Sequence, residues 1–355
     1  MTTDLYPEAT QLQTIIDAAQ HIVILQADNP DADSLGSALA LEQILSDIGK
    51  NVDMYCGVDM PEYLRYLAGW DRVQREVPKQ FDASIIVDAG TYTLFEKLSS
   101  QPIMLAAVKA RPCVVLDHHT NVEQPIDFAQ VTICDNQVAS TGELIYRLAD
   151  SYDWPLSGTA CEALMASILG DTQGLMNELT KAGTYRVMAD LVEHGANRPK
   201  LEEHRREYSK MPETIYRYKG RLLSRTEFIS GGRIAHLTIP QDEINSFSPL
   251  YNPGPLVQFD MLQVQGVRLA IVFKTYDDGK VTAALRASTG YGVAGALATH
   301  MGGGGHPYAS GFKVVDGRPF NEIKSECLTQ AAILLDKIEQ DATDHETLQH
   351  TYQTN

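Results

Sequence analysis

No apolar run in the 355 residues approaches the roughly 20 needed to cross a bilayer. The start, MTTDLYPEATQLQ, lacks a basic stretch followed by an apolar one, so it does not read as a secretory signal. Cysteine is scarce. The five (Cys56, Cys113, Cys134, Cys161, Cys327) are odd in number and scattered without a CxxC, which argues for reduced thiols and against a disulfide or zinc framework. Cations are short as well: 29 Lys and Arg against 46 Asp and Glu leave a formal charge of -17. Long duplex nucleic acid is held by neutralising many phosphates with a basic surface, so a general duplex binder is excluded. The expectation is a soluble cytoplasmic protein with neither membrane nor long duplex as a partner. A small phosphorylated ligand, needing only a few local cations, stays open.

What is present is an ordinary core: 44% of residues are apolar and 21% charged. Through residue 195, short β-branched runs alternate with helical patterns. HIVIL (21–25), VDMYC (52–56), SIIVD (84–88) and CVVLD (113–117) have the character of buried parallel strands. Leu35, Leu39, Leu45 and Ile48 fall on helical spacing, with Asp33 or Ser34 as the expected cap and Gly49 as the stop. Further helices are predicted over 140–148 and 158–169. The fold class is therefore α/β, a doubly wound, mainly parallel sheet. Residues 196–230 read as a polar helical connector. Arg198 to Arg225 holds nine Lys and Arg against four acids, either a solvated helix face or a basic wall beside an acidic site.

From 231 to 342 the pattern is a smaller α+β domain. Strands are predicted over 233–239, 267–276, 280–288 and 309–315, with Asp278-Gly279 a hairpin turn. Helices are expected over 292–301 and about 320–339. Residues 343–355 read as a polar, frayed tail.

The acids fall at informative places. Asp31 and Asp33 follow the first strand, Asp88 ends the third, and Asp117 ends the fourth with His118 and His119 directly after it; Asp171 follows the helix-like run 158–169. In an open parallel sheet, ligands bind beyond the carboxyl ends of the strands, so these segments deliver their donors to one edge. Carboxylates crowded there repel unless cations neutralise them. Mn²⁺ or Mg²⁺, one or two ions, suits this donor set. Two such ions about 3.5–4 Å apart assist in-line displacement at phosphorus. On an extended loop Asp31 and Asp33 would point the same way and serve neighbouring ions.

The stretches NPDADSLGS (29–37), VDAG (87–90), LDHH (116–119) and GDT (170–172) resemble the four motifs of the DHH phosphoesterase superfamily. LRAS (285–288) and GGGGHPYASGF (302–312) resemble its associated C-terminal domain. The likeness spans about residues 15–340 and is nearest the NrnA-like subfamily, whose members degrade very short oligoribonucleotides or dephosphorylate adenosine bisphosphate. It implies a hydrolase with its active site in the cleft between the two domains. Asp31, Asp33, Asp88, His118 and Asp171 would be metal ligands, with Asp88 the bridge. Asp117 would orient the histidines from behind. Asp31, Asp88 and His119 would be catalytic, with His119 facing the phosphate. Arg286, Ser288, Gly303, Gly304, Gly305 and His306 would bind substrate. The partner implied is a short oligonucleotide or nucleotide, with a homodimer among the assemblies allowed.

The chain departs from the pattern at Ala27, where the family carries a histidine ligand three residues before the motif's proline. DTQGLMN (171–177) also lacks the aromatic and arginine that often follow there. A nucleotide-binding protein with reduced turnover is the rival reading. A pyrophosphatase or polyphosphatase shares the first-domain motifs, but Arg286 and GGGGH speak against it.

Overall fold

A computed structural model describes residues 6–119, 125–247 and 252–353. The chain divides into two compact units, Met1–Lys210 and Met211–Asn355.

In the first unit the elements run α1 (Ala9–Ala18), β1 (His21–Gln26), α2 (Ala32–Asp47), β2 (Asn51–Cys56), β3 (Val73–Gln74), β4 (Ala83–Val87), α3 (Glu96–Ser99) and α4 (Pro102–Lys109). Then come β5 (Cys113–Asp117), β6 (Val131–Cys134), α5 (Thr141–Ser151), α6 (Gly158–Asp171), α7 (Ala182–Glu193) and α8 (Arg198–Tyr208). The six strands are parallel, in the order β3-β2-β1-β4-β5-β6. Alternation along β1 explains the two layers. Ile22 and Ile24 pack with α2, α5 and α6, while Val23 and Leu25 pack on the opposite face with Leu98 and Val108 of α3 and α4. Both faces are covered, which is why these strands are continuous apolar runs. The order reverses between β1 and β4, the position where such sheets open a crevice beyond their carboxyl ends.

The second unit holds α9 (Glu213–Ser224), β7 (Glu227–Ile229), β8 (Ile234–Ile239), α10 (Gln241–Phe247), α11 (Pro253–Leu262), β9 (Leu269–Thr275), β10 (Val281–Ala287), α12 (Ala294–His300), β11 (Gly304–Gly305), β12 (Ala309–Val314) and α13 (Phe320–Gln353). Its sheet, in the order β11-β12-β10-β9-β8-β7, is antiparallel except for the parallel β8–β9 pair. That pair needs the crossover that α10 and α11 supply. The expected hairpin closes with Gly279 at φ +81° and Gly279 N donating to Tyr276 O.

Four expectations need correcting. The cap of α2 is Asp31, whose Oδ1 accepts from Ser34 N at 3.0 Å, and neither Asp33 nor Ser34. Asp33 is turned instead toward α5 and α6, so the pair does not lie on an extended loop. Asp171 is the last residue of α6, not a loop residue beyond it. The final helix runs to Gln353, through most of the stretch expected to fray, because no glycine or proline follows Pro319 to stop it. Among the described residues no helix is long and apolar enough to cross a membrane.

Candidate metal and phosphate site

Three helices converge on Asp33. Gly36 of α2 lies so close to α6 that a Cβ there would sit 2.7 Å from Ala163 O, and a Cβ on Gly170 would sit 2.7 Å from the Ala32 methyl. This close approach brings Ser37 Oγ (3.0 Å), Thr141 N (2.8 Å), Gly142 N (3.2 Å) and Ser167 Oγ (2.5 Å) onto the buried Asp33 carboxylate as donors. Asp88 follows β4 with φ +57°, a left-handed conformation uncommon for a residue with a side chain. Its backbone N–H stays bonded to Leu116 O at 2.9 Å, so the turn aims the carboxylate inward, where Thr141 Oγ1 donates to it at 3.2 Å.

The two histidines after β5 take different environments. Asp117 Oδ1 accepts from His118 N (2.8 Å), His119 N (3.2 Å) and His119 Nδ1 (2.8 Å), which fixes the second ring through its Nδ1. The His119 side chain is 58% exposed. His118 is buried, its Nε2 3.0 Å from Asp171 Oδ2, 3.4 Å from Asp33 Oδ2 and 3.7 Å from Asp88 Oδ1. None of the three contacts has full hydrogen-bond geometry, so the nitrogen is held among the three carboxylates mainly by charge. A buried donor or acceptor without a partner is costly, and a cation in that space would satisfy all four groups.

The electrostatics agree. Burial, then the negative charges of Asp33, Asp31, Asp171 and Asp117, hold the Asp88 carboxyl well above the usual range. Burial pushes Asp171 up to about 6, and its place at the carboxyl end of α6 adds an unfavourable helix dipole. Burial also raises Asp31. Burial alone would raise Asp117 too, but the bonds from His119 outweigh it and bring that carboxyl down. The same contact raises the His119 imidazole, against its desolvation. For His118, burial works against the charged form, and the surrounding carboxylates overcome it. Two groups could each hold a metal ion with converging donors: Asp33, His118 and Asp171, and Asp88, His118 and His119.

Ala27 is 4% exposed, packed with Val23, Leu25, Tyr55 and Phe95. Asp28 and His21, the nearby acid and imidazole, are engaged elsewhere. Asp28 Oδ2 accepts from Lys97 N at 2.7 Å, and His21 pairs with Asp53 at 2.6 Å. Thr141, Gly142 and Ser167 were not anticipated. Ser140-Thr141-Gly142 does have the composition of a helix start, and Ser140 caps α5 by accepting from Glu143 N.

In the second unit Arg286 pairs in register with Ala309, whose backbone exchanges both hydrogen bonds with His306 (2.9 and 3.2 Å). Arg286 and the exposed His306 therefore share one end of that sheet. Ser288 Oγ donates to Val267 O at 3.1 Å, so its proton is already engaged. The glycines divide. A Cβ on Gly303 would strike Gly311 O and Phe312, and one on Gly305 would come within 2.7 Å of Ser310, at φ +135°. A Cβ on Gly304 would meet nothing within 4 Å. Close packing of β11 on β12 thus accounts for two of the three.

Residues 21–168 match the family model described as "DHH family, N-terminal domain". Over 285 residues the chain is 26% identical to the bifunctional oligoribonuclease and PAP phosphatase NrnA of Thermus thermophilus, covering 80% of this chain and 81% of that protein. It is 25% identical over 312 residues to the protein of the same name from Bacillus subtilis, covering 86% and 93%. Among solved structures, an exopolyphosphatase-related protein from Bacteroides fragilis superposes with a TM-score of 0.79 at 20% identity, over 94% of this chain and 99% of that one. That last likeness concerns the fold.

Proposed function

We propose, for a chain whose residues 21–168 match the DHH family's N-terminal domain, the hydrolysis of phosphate esters in short oligonucleotides or small nucleotide phosphates, assisted by divalent cations. The observation that carries this reading is His118 Nε2, buried among Asp33, Asp88 and Asp171 without a well-formed hydrogen bond. Asp33, His118 and Asp171 would hold one ion. A second would rest on Asp31 and Asp88, with Asp88 reaching both. When bound, Mn²⁺ or Mg²⁺ supplies a water of lowered pKa and neutralises charge on the phosphoryl oxygens.

The chain's own residues do the rest. Asp31 and Asp88 orient the attacking water. Its oxygen bonds to phosphorus as the ester P–O bond breaks and the leaving oxygen takes up a proton. His119 presents Nε2 to the phosphate while Asp117 keeps its ring fixed and its charged form favoured, which offsets the growing negative charge. Arg286 and His306 would bind the remote part of the substrate, where binding energy can assist reaction at phosphorus. The names of both relatives, oligoribonuclease and PAP phosphatase, support a site that accepts diesters and monoesters.

Ala27 favours a second reading, a nucleotide-binding protein with little turnover. Release of mononucleotide from a 5′-phosphorylated dinucleotide separates the two. The hydrolase reading expects release with Mn²⁺ and none in EDTA. Undiminished release in excess chelator removes the metal, and binding without release favours the second reading.

A further inference from the structure

The cationic stretch left open in the sequence acquires a setting in α8. That helix forms one side of a cleft of about 1220 Å³ within the first unit. The facing side includes Ala32, which lies between Asp31 and Asp33, and Gly170, which precedes Asp171. The cleft therefore opens beside the carboxylate cluster. Tyr63, Tyr66, Gln173 and Met176 complete its walls.

Charge, surface and backbone each mark the cleft as more than a gap. Of its acids, Glu202 is held by Arg205 at 2.8 Å and Glu207 by Lys210 at 2.5 Å. Arg198 and Arg206 have no ion pair among the described residues, against Glu203 as the remaining lining carboxylate. Tyr63 is 60% exposed and Met176 81% exposed, large apolar surfaces set on a polar rim. Gln173 at φ +51° and Leu175 at φ +72° are side-chain-bearing residues in the left-handed region, in the loop that follows Asp171. Such conformations are costly and tend to be kept where a site needs them. Tyr63 OH donates to Pro30 O at 3.1 Å, tying the wall to the loop that carries Asp31.

We propose that this cleft is a nucleotide subsite. It holds the nucleoside on the far side of the bond to be broken, with the base against the Tyr63 ring and the Met176 thioether and a phosphate on Arg198 and Arg206. Aromatic faces hold any base by stacking, and guanidinium groups match phosphate oxygens with paired donors. Ligand pockets commonly enclose about 300–1,000 Å³, so the space admits a nucleotide with room to spare. The inference rests on the phosphoesterase reading only for what the nucleotide is attached to.

The test is calorimetric titration of 5′-AMP into the full chain in EDTA, so that no metal contributes. AMP should bind. Arg206→Ala and Tyr63→Leu should each weaken it about tenfold, while Tyr63→Phe retains it, since the ring supplies the stacking. In Mn²⁺, Arg206→Ala should raise KM more for the dinucleotide pApA than for p-nitrophenyl phosphate, which is too short to reach the cleft. Absence of AMP binding, or an AMP affinity unmoved by both Arg206→Ala and Tyr63→Leu in proteins with normal thermal melts, overturns the subsite. If AMP binds as expected but no phosphate ester is hydrolysed, the phosphoesterase reading falls and the cleft stands. If hydrolysis proceeds and the variants behave as wild type, the cleft falls and the phosphoesterase reading stands.

Discussion

The two sheets treat polar residues at their ends in opposite ways. In the first unit, Asp33, Asp88, Asp117 and His118 are all buried at the carboxyl ends of the strands, and the His118 nitrogen lies among carboxylates without a well-formed hydrogen bond. In the second, His306 and the glycine run are exposed, and the Ser288 hydroxyl already has a backbone acceptor. The first arrangement is expensive without a cation; the second is stable as it stands. A buried cluster that its own fold fails to satisfy therefore points to a ligand more strongly than an exposed motif does, however specific the motif's sequence.

Removing a carboxylate should break this contrast most visibly. Asp88→Asn should lower hydrolysis at least about 100-fold, or ~2.7 kcal/mol of barrier. It should also raise the melting temperature of the metal-free protein, because it removes a charge that burial and its neighbours already disfavour. Asp33→Asn should lose activity too but destabilise by about 1–3 kcal/mol, since four donors depend on that carboxylate. Activity assays beside thermal melts in EDTA test both; a destabilised Asp88→Asn would contradict the picture of repulsion.

Next comes pH. Asp171 rises to about 6 on folding from an unfolded value near 3.9, so the folded state binds the extra proton. The stability it contributes is full below about pH 4 and lost as pH rises through about 6, on the order of 1–3 kcal/mol. His118 and His119, also raised, lose their contributions in the same direction. Melts in EDTA from pH 4 to 8 should show this loss in wild type and a smaller one in Asp171→Asn, and Mn²⁺ should cancel it. A wild-type loss no larger than that of Asp171→Asn over that range would refute the coupling.

The second unit sharpens the comparison through packing. Gly303→Ala should cost about 1–3 kcal/mol, because the new methyl meets Gly311 O and Phe312. Gly304→Ala should cost less than about 0.5 kcal/mol. Any loss of nucleotide affinity in Gly304→Ala, at unchanged melting temperature, would identify that glycine as a ligand contact. The last expected effect concerns Ala27→His. A restored nitrogen should tighten Mn²⁺ about tenfold by calorimetry, a factor comparable to those seen for residues behind metal ligands. Unchanged affinity, with two ions already firm in wild type, would mean that another residue completes the site.

Which parts were legible follows from burial. Parallel strands covered on both faces must be apolar runs, so 113–117 was readable to the residue, with Asp117 at its end and Asp88 one residue past β4. Short β6 (Val131–Cys134) was not identified, since four residues with alternating exposure give little periodic signal, and helices α4 and α7 were not identified either. The donors on Asp33 were invisible for another reason. Thr141 and Gly142 act through backbone N–H groups, which every residue but proline carries, and only the convergence of three helices singles them out. The cap of α2 was misplaced because Asp31, Asp33 and Ser34 are all acceptable caps, and tertiary contacts chose among them.

The glycine contacts that lock α2 onto α6 bear on the order of assembly. Asp33 and Asp171 are 138 positions apart in the chain (171 minus 33), and the intervening β4, β5 and α5 must be in place before the two carboxylates face each other. Pairings of such long sequence separation form late, after loop-closure entropy has been overcome. A divalent ion can then act only as a latch on the finished unit and not as a nucleus for it. It should slow unfolding while leaving the refolding rate nearly unchanged, and stopped-flow measurements with and without Mn²⁺ would reveal the opposite pattern if the ion gathered its ligands early.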